Sequence, residues 1–158
     1  MDEQQFERLF ETIKSDSSLL SDINIDELLG SVEDDNNDLE NKTLQEILEN
    51  NIQVLDSLEL TQDQKEKYIS KLADYKYIDN LYQLNKGKYI RWINKQNKLT
   101  NGAIVLEIIF NDNGTNIMCK NTQHKCLQLK FDDCTIFQKL SYQEQVILMA
   151  YEYLQKKK

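Results

Sequence analysis

At 158 residues the chain can hold one ordinary domain or two very small ones, because a core of fewer than about 40 residues rarely sustains itself. No apolar run approaches the ~20 residues that span a bilayer, residues 1–5 are acidic where a secretory leader would be basic, and three cysteines cannot all pair. Neither membrane insertion nor secretion is expected, and the odd cysteine count favours reduced thiols in the cytoplasm, the nucleus or a cytoplasmically assembled particle. The formal charge of −8 conceals a division. Residues 1–66 carry four Lys or Arg against 19 Asp or Glu, whereas residues 67–158 carry 15 against eight. Such a split directs the second half toward a polyanion or an acidic partner, with the first half modulating or imitating it. It also fits two halves that complement one another within one molecule.

In chain order, Phe6, Leu9, Phe10 and Ile13 recur at helical spacing and predict an amphipathic first helix. Asn24 with Glu27 can cap a short helix that Gly30 ends, and the acidic, Asn-rich residues 31–41 read as a linker. Thr43 with Glu46 and Thr61 with Gln64 are capping boxes for two further helices. The first carries Leu44, Ile47, Leu48, Ile52 and Leu55; the second carries Tyr68, Ile69, Leu72 and Tyr75 and continues over 78–82. Together they predict a helical hairpin over residues 42–84.

From Gly87 the apolar period becomes two. Strands are expected at 88–94, 103–110, 115–120, 126–131 and 135–137. The second aligns Ile104, Leu106, Ile108 and Phe110 on one face, and the fourth sets Leu127, Leu129 and Phe131 against Cys126, Gln128 and Lys130. Asn111-Asp112-Asn113-Gly114 is a hairpin turn, since Asn and Gly adopt positive φ cheaply. Ser141 with Glu144 opens a last helix whose residues 146–151 and 153–154 leave little polar surface and demand burial. The expected fold is α+β: N-terminal helices, a small five-stranded antiparallel barrel or bent sheet of Tudor or Sm-like kind, and a closing C-terminal helix. The expected divisions are 1–41, an acidic helical arm and linker, 42–84, and 85–158.

No catalytic constellation is present. Cys119, His124, Cys126 and Cys134 are zinc-ligand types, but C-x4-H-x-C-x7-C matches no finger or knuckle, and alternation puts Cys119 on the face of Ile117 while Cys126 lies opposite Leu127 and Leu129. Neither metal nor cofactor is expected. A calcium loop starting at Asp34 fails at Leu39 and Gln45, where Gly and Glu are required. The segment most suggestive of binding is residues 87–95, where bases and aromatics interleave. Lys88, Ile90 and Trp92 fall on one side and Tyr89, Arg91 and Ile93 on the other, with Trp92 expected in the core. Lys88, Tyr89, Arg91, Lys95 and Lys98 are therefore the candidate nucleic-acid or partner-binding residues, Tyr89 to stack a base and Arg91 to hold a phosphate.

The stretches GKYIRWINKQNKLTNGAIVLEIIFNDNGTNIMCKN and KFDDCTIFQKLSYQEQVILMAYEYL resemble a domain of functionally uncharacterised proteins of large nucleocytoplasmic DNA viruses, over residues 87–154. The resemblance rests most on GKYIRW, LTNG (99–102) and FQKLS (137–141), and it implies a viral source, in agreement with a composition that favours residues with AT-rich codons. It supplies no catalytic residues. The expected function is a non-enzymatic binding or assembly module of the virion or of replication. Its location is the host cytoplasm or the virion, and its partner is nucleic acid, another viral protein or a second copy. The alternative is a regulatory or accessory subunit of a viral enzyme complex.

Overall fold

A computed structural model describes residues 2–16, 39 and 42–157. The helix expected after Asn24 and most of the 31–41 stretch lie outside them. Within that stretch Leu39, read as linker, is completely buried in a cluster with Ile47, Leu140 and Leu148. The chain divides into two compact units, Met1–Ile47 with Leu140–Lys158, and Leu48–Lys139. These differ from the divisions at 41/42 and 84/85 expected from composition, because the final helix shares its core with the first helix rather than with the strands.

In the first unit α1 (Glu3–Ser15) starts at Asp2, whose carboxylate accepts the Gln5 N–H at 2.8 Å while Gln5 Oε1 accepts the Asp2 N–H at 2.9 Å. Phe6, Phe10 and Ile13 bury one stripe against Val146 and Ala150 of the C-terminal helix α4 (Tyr142–Lys157). The predicted box at Ser141 is formed: its Oγ accepts the Glu144 N–H at 3.1 Å, and Glu144 Oε1 accepts the Ser141 N–H at 3.0 Å. The Glu3 carboxylate accepts the Tyr142 N–H at 3.2 Å, placing negative charge at the positive end of that helix.

Helix α2 (Leu44–Asp56) begins at Thr43, whose Oγ1 accepts the Glu46 N–H, and its C-terminal half belongs to the second unit. There α3 (Gln62–Lys71) carries the complete Thr61–Gln64 box and ends at Leu72. The six strands that follow are β1 (Tyr75–Ile78), β2 (Tyr89–Ile93), β3 (Ala103–Asn111), β4 (Gly114–Lys120), β5 (Cys126–Lys130) and β6 (Thr135–Lys139). They form one antiparallel sheet in the order β1-β6-β2-β3-β4-β5.

The five expected strands are all present. The sixth, β1, corrects the helix continuation read over 75–82. Tyr75-Lys76-Tyr77-Ile78 pairs residue by residue with 136–139, and the aromatic and β-branched side chains suit a pleated surface better than a helix. The sheet is open, with β1 and β5 at its edges and no ladder joining them among the described residues.

Its inner face is the main core: Ile78, Ile90, Trp92, Ala103, Val105, Ile117, Cys119, Leu129 and Ile136, with Leu84. The outer face is covered only in part. Leu55 of α2, with Tyr68 of α3 and the Leu72 that follows it, packs on Tyr75, Phe137 and Ile93 from β1, β6 and β2. The outer face of β3, β4 and β5 carries no helix of this unit.

Candidate interaction surface

Strand β2 alternates as expected. Ile90 and Trp92 enter the core, and Trp92 is 8% exposed. Tyr89 and Arg91, half-buried on the outer face, are held by the segment 99–102. The Tyr89 hydroxyl donates to the Asn101 carbonyl at 2.6 Å, and Arg91 Nε donates to the Thr100 carbonyl at 2.9 Å. Thr100 also stands in for a missing ladder partner: its N–H donates to the Trp92 carbonyl at 2.9 Å, and its hydroxyl accepts the Trp92 N–H at 3.2 Å.

Gly102 makes this clamp sterically feasible. Its φ is +90°, and a Cβ there would strike the Ile90 carbonyl and come within 2.7 Å of the Tyr89 ring and 2.9 Å of Arg91 Cγ. Nearby Tyr75 is deeply buried. Its hydroxyl pKa is pushed up to about 12, by burial first and then by the Asp74 carboxylate, while the Arg91 cation pulls the other way.

The hairpin tip between β2 and β3 is also tied down. Tyr68 of α3 donates its hydroxyl to the Asn97 carbonyl at 2.8 Å and accepts the Leu99 N–H at 3.2 Å, and Asn97 Nδ2 donates to the Glu59 carbonyl at 3.1 Å. Lys95 lies 3.5 Å from Asp133, and Lys98 is exposed. Lys88 belongs to the other side of β2. Of the five residues nominated from sequence, then, Tyr89 and Arg91 are brought together on one loop segment, Lys95 and Lys98 sit at the hairpin tip, and Lys88 faces away from Tyr89 and Arg91.

The open outer face of β3–β5 contains residues the sequence did not nominate. A bulge at Leu106 shifts the β3–β4 register between Val105 and Glu107, so the row Ile104, Leu106, Ile108, Phe110 does not share one face. Ile104 and Leu106 point outward and are each 44% exposed, whereas Ile108 packs on the core. Beside them on this face lie Met118 and Lys120 of β4 and Cys126, Gln128 and Lys130 of β5. Glu107, the exposed cross-strand partner of Met118, shares this face, so the aliphatic pair is bordered by the cations Lys120 and Lys130 and by one carboxylate. A signal for it was present: residues 103–106 are apolar on both faces, which a sheet with one solvated face does not require.

The two sheet edges differ. Along β1, the buried Asn51 of α2 donates Nδ2 to the Tyr75 carbonyl at 2.8 Å and accepts the Tyr77 N–H on Oδ1 at 3.0 Å, the pair of bonds a neighbouring strand would make. At β5 the Asn121 N–H donates to the Lys125 carbonyl at 2.9 Å, which makes 125 a bonded position of the β4–β5 ladder. Bonded positions alternate, so 127 and 129 also face β4, while the backbone N–H and C=O of Cys126 and Gln128 point outward along an edge that no strand among the described residues pairs.

The cysteines occupy different environments. Cys119 is buried on the inner face, with burial pushing its thiol up to about 12. Cys134 is half-buried and raised by burial and then by Asp133, and Cys126 is exposed on the outer face. No group of three or more His, Cys, Asp or Glu side chains suited to a metal ion occurs among the described residues, and none of their helices is long and apolar enough to cross a membrane. Comparison with known proteins adds no relative: no family model, no curated protein and no solved structure matches the chain.

Proposed function

We propose that this chain is a non-enzymatic binding or assembly module that receives a protein partner on the outer face of β3–β5. The observation that carries this reading is the adjacent pair Ile104 and Leu106, each 44% exposed on the part of the sheet that α2 and α3 leave uncovered. Burying two aliphatic side chains that already stand in water favours association by roughly 25 cal/mol for each Å2 removed. The cations Lys120 and Lys130 at the margin select a partner that carries acid.

A protein is favoured over nucleic acid for a physical reason. The aromatics of the basic strand make a poor stacking platform, since Trp92 is in the core and the half-buried Tyr89 packs against the outer-face cluster, and aliphatic side chains grip protein better than bases. We read β2–β6 as a bent, incompletely closed sheet of Tudor or Sm-like kind. The β2–β5 meander and the single 3-10 turn Phe131–Asp133 that returns β6 to the side of β2 support that reading. The resemblance of residues 87–154 supports reading it as a component of a large DNA virus, acting in the host cytoplasm or virion, and the same face would serve an accessory subunit of an enzyme complex.

The test is a photo-crosslinking side chain placed at Ile104 or Leu106 of the full chain in the cells that make it, with the exposed Tyr82 as control position. The reading predicts a discrete protein adduct from the first two positions and none from the control. Adducts to nucleic acid, or none at all, would contradict it.

A further inference from the structure

We infer that the partner engages this surface by strand addition, laying an extended acidic segment along the outer edge of β5. The inference rests on the docking face proposed above and specifies how it is occupied. Its first support is the contrast between the two edges. Asn51 supplies to β1 one donor for the carbonyl of Tyr75 and one acceptor for the N–H of Tyr77, so the fold satisfies the outward groups of residues i and i+2 at that edge. At β5 the same spacing recurs at Cys126 and Gln128, whose N–H and C=O point away from β4. An incoming strand forms its main-chain bonds there, and affinity from backbone pairing is tuned by side chains that alternate across the edge.

The second support is charge. By alternation Lys125, which precedes β5, falls on the row of Leu127; on the outer face Lys120 is the cross-strand partner of Cys126 and Lys130 ends β5, and both are exposed. An extended segment with acidic residues on its outward side meets these lysines. The inner side of the edge is apolar, with Leu127 half-buried and Leu129 buried, so the acceptable segment alternates acid with aliphatic residues.

The probe is a short fluorescein-labelled peptide alternating glutamate with valine, titrated into the full chain at low salt and followed by anisotropy and amide hydrogen exchange. Strand addition predicts saturable binding and slowed exchange at Cys126 and Gln128. It also predicts loss of binding when alternate peptide nitrogens are methylated, and weakening of about tenfold or more in the exposed double variant Lys120→Glu/Lys130→Glu. That variant lies on the surface, and an unchanged unfolding midpoint shows that its fold is intact.

Peptide binding that ignores N-methylation and leaves β5 exchange unchanged overturns strand addition while sparing the docking face. Absence of peptide binding also overturns strand addition, and the docking face then stands or falls on the crosslinks at Ile104 and Leu106. Tight binding of a single-stranded oligonucleotide in place of the peptide overturns both readings, and dimerisation of the chain through β5 overturns the acidic segment in favour of a second copy.

Discussion

The side chain of Asn51 completes the outer edge of β1 at Tyr77, accepting its N–H at 3.0 Å with Oδ1 while Nδ2 reaches the Tyr75 carbonyl at 2.8 Å. Because Asn51 is only 3% exposed, no water replaces it. Asn51→Leu leaves a donor and an acceptor unsatisfied, at a cost of about 2 to 4 kcal/mol, and uncovers an edge able to recruit other strands. Urea unfolding is expected to show the loss, and light scattering near the midpoint is expected to show aggregation absent from the parent chain.

Gly102 and Gly87 separate steric from conformational strain. Both have positive φ, +90° and +84°, but a Cβ at Gly87 meets nothing within 4 Å, while one at Gly102 runs into the Ile90 carbonyl and the flanking Tyr89 and Arg91 side chains. Gly87→Ala is expected to cost about 1 kcal/mol, and Gly102→Ala to cost clearly more and to loosen the 99–102 segment. Comparing the two unfolding midpoints checks this.

Tyr89 and Arg91 are expected to behave as structural residues. Tyr89→Phe and Arg91→Met remove bonds to Asn101 and Thr100 and should each lower stability by about 1 to 3 kcal/mol. Ile104→Ser with Leu106→Ser, exposed on the open face, should change it by no more than about 1 kcal/mol. Reversal of that order in denaturant unfolding would place the structural burden on the wrong face.

Alkali should unfold the strand-bearing unit through two buried acids. The folded pKa of Cys119 is raised from 9.0 to about 12 and that of Tyr75 from 10.0 to about 12. Each is protonated and neutral in the native state, so the stability tied to it is fully present below the unfolded pKa. It is lost as pH rises from about 9 to about 12, where only the unfolded chain ionises readily. Cys119→Val keeps the buried volume close and should flatten the fall in unfolding midpoint across that window. In the parent chain a maleimide should modify Cys126 fast, Cys134 slowly and Cys119 only on unfolding.

Much of this fold could be read from residue patterns, and the failures have identifiable causes. Capping boxes at Thr61–Gln64 and Ser141–Glu144, the five-strand run and the 111–114 turn are local signals, and local chemistry decides them. In that turn Gly114 takes the positive φ, 117°, and the asparagines do not. Strand β1 was lost to a helix because Tyr75 and Ile78 continue the spacing of α3, and only their pairing with β6, some sixty residues onward, selects the extended form. The open face was hidden by the bulge at Leu106, which no periodicity announces, and the nominated Tyr89 and Arg91 pair was drawn from composition that cannot reveal the 99–102 segment lying against it.

On the proposed function, partners meet the outer face of β3–β5 and not the basic strand β2 with its hairpin tip. A residue-resolved footprint of the full chain with the glutamate–valine peptide, read from amide exchange and from methyl signals, tests it most directly. Perturbation is expected at Ile104, Leu106, Met118, Cys126 and Gln128, with Lys88, Lys95 and Lys98 unchanged. A footprint confined to residues 88–98, with Ile104, Leu106 and Gln128 silent, would contradict it.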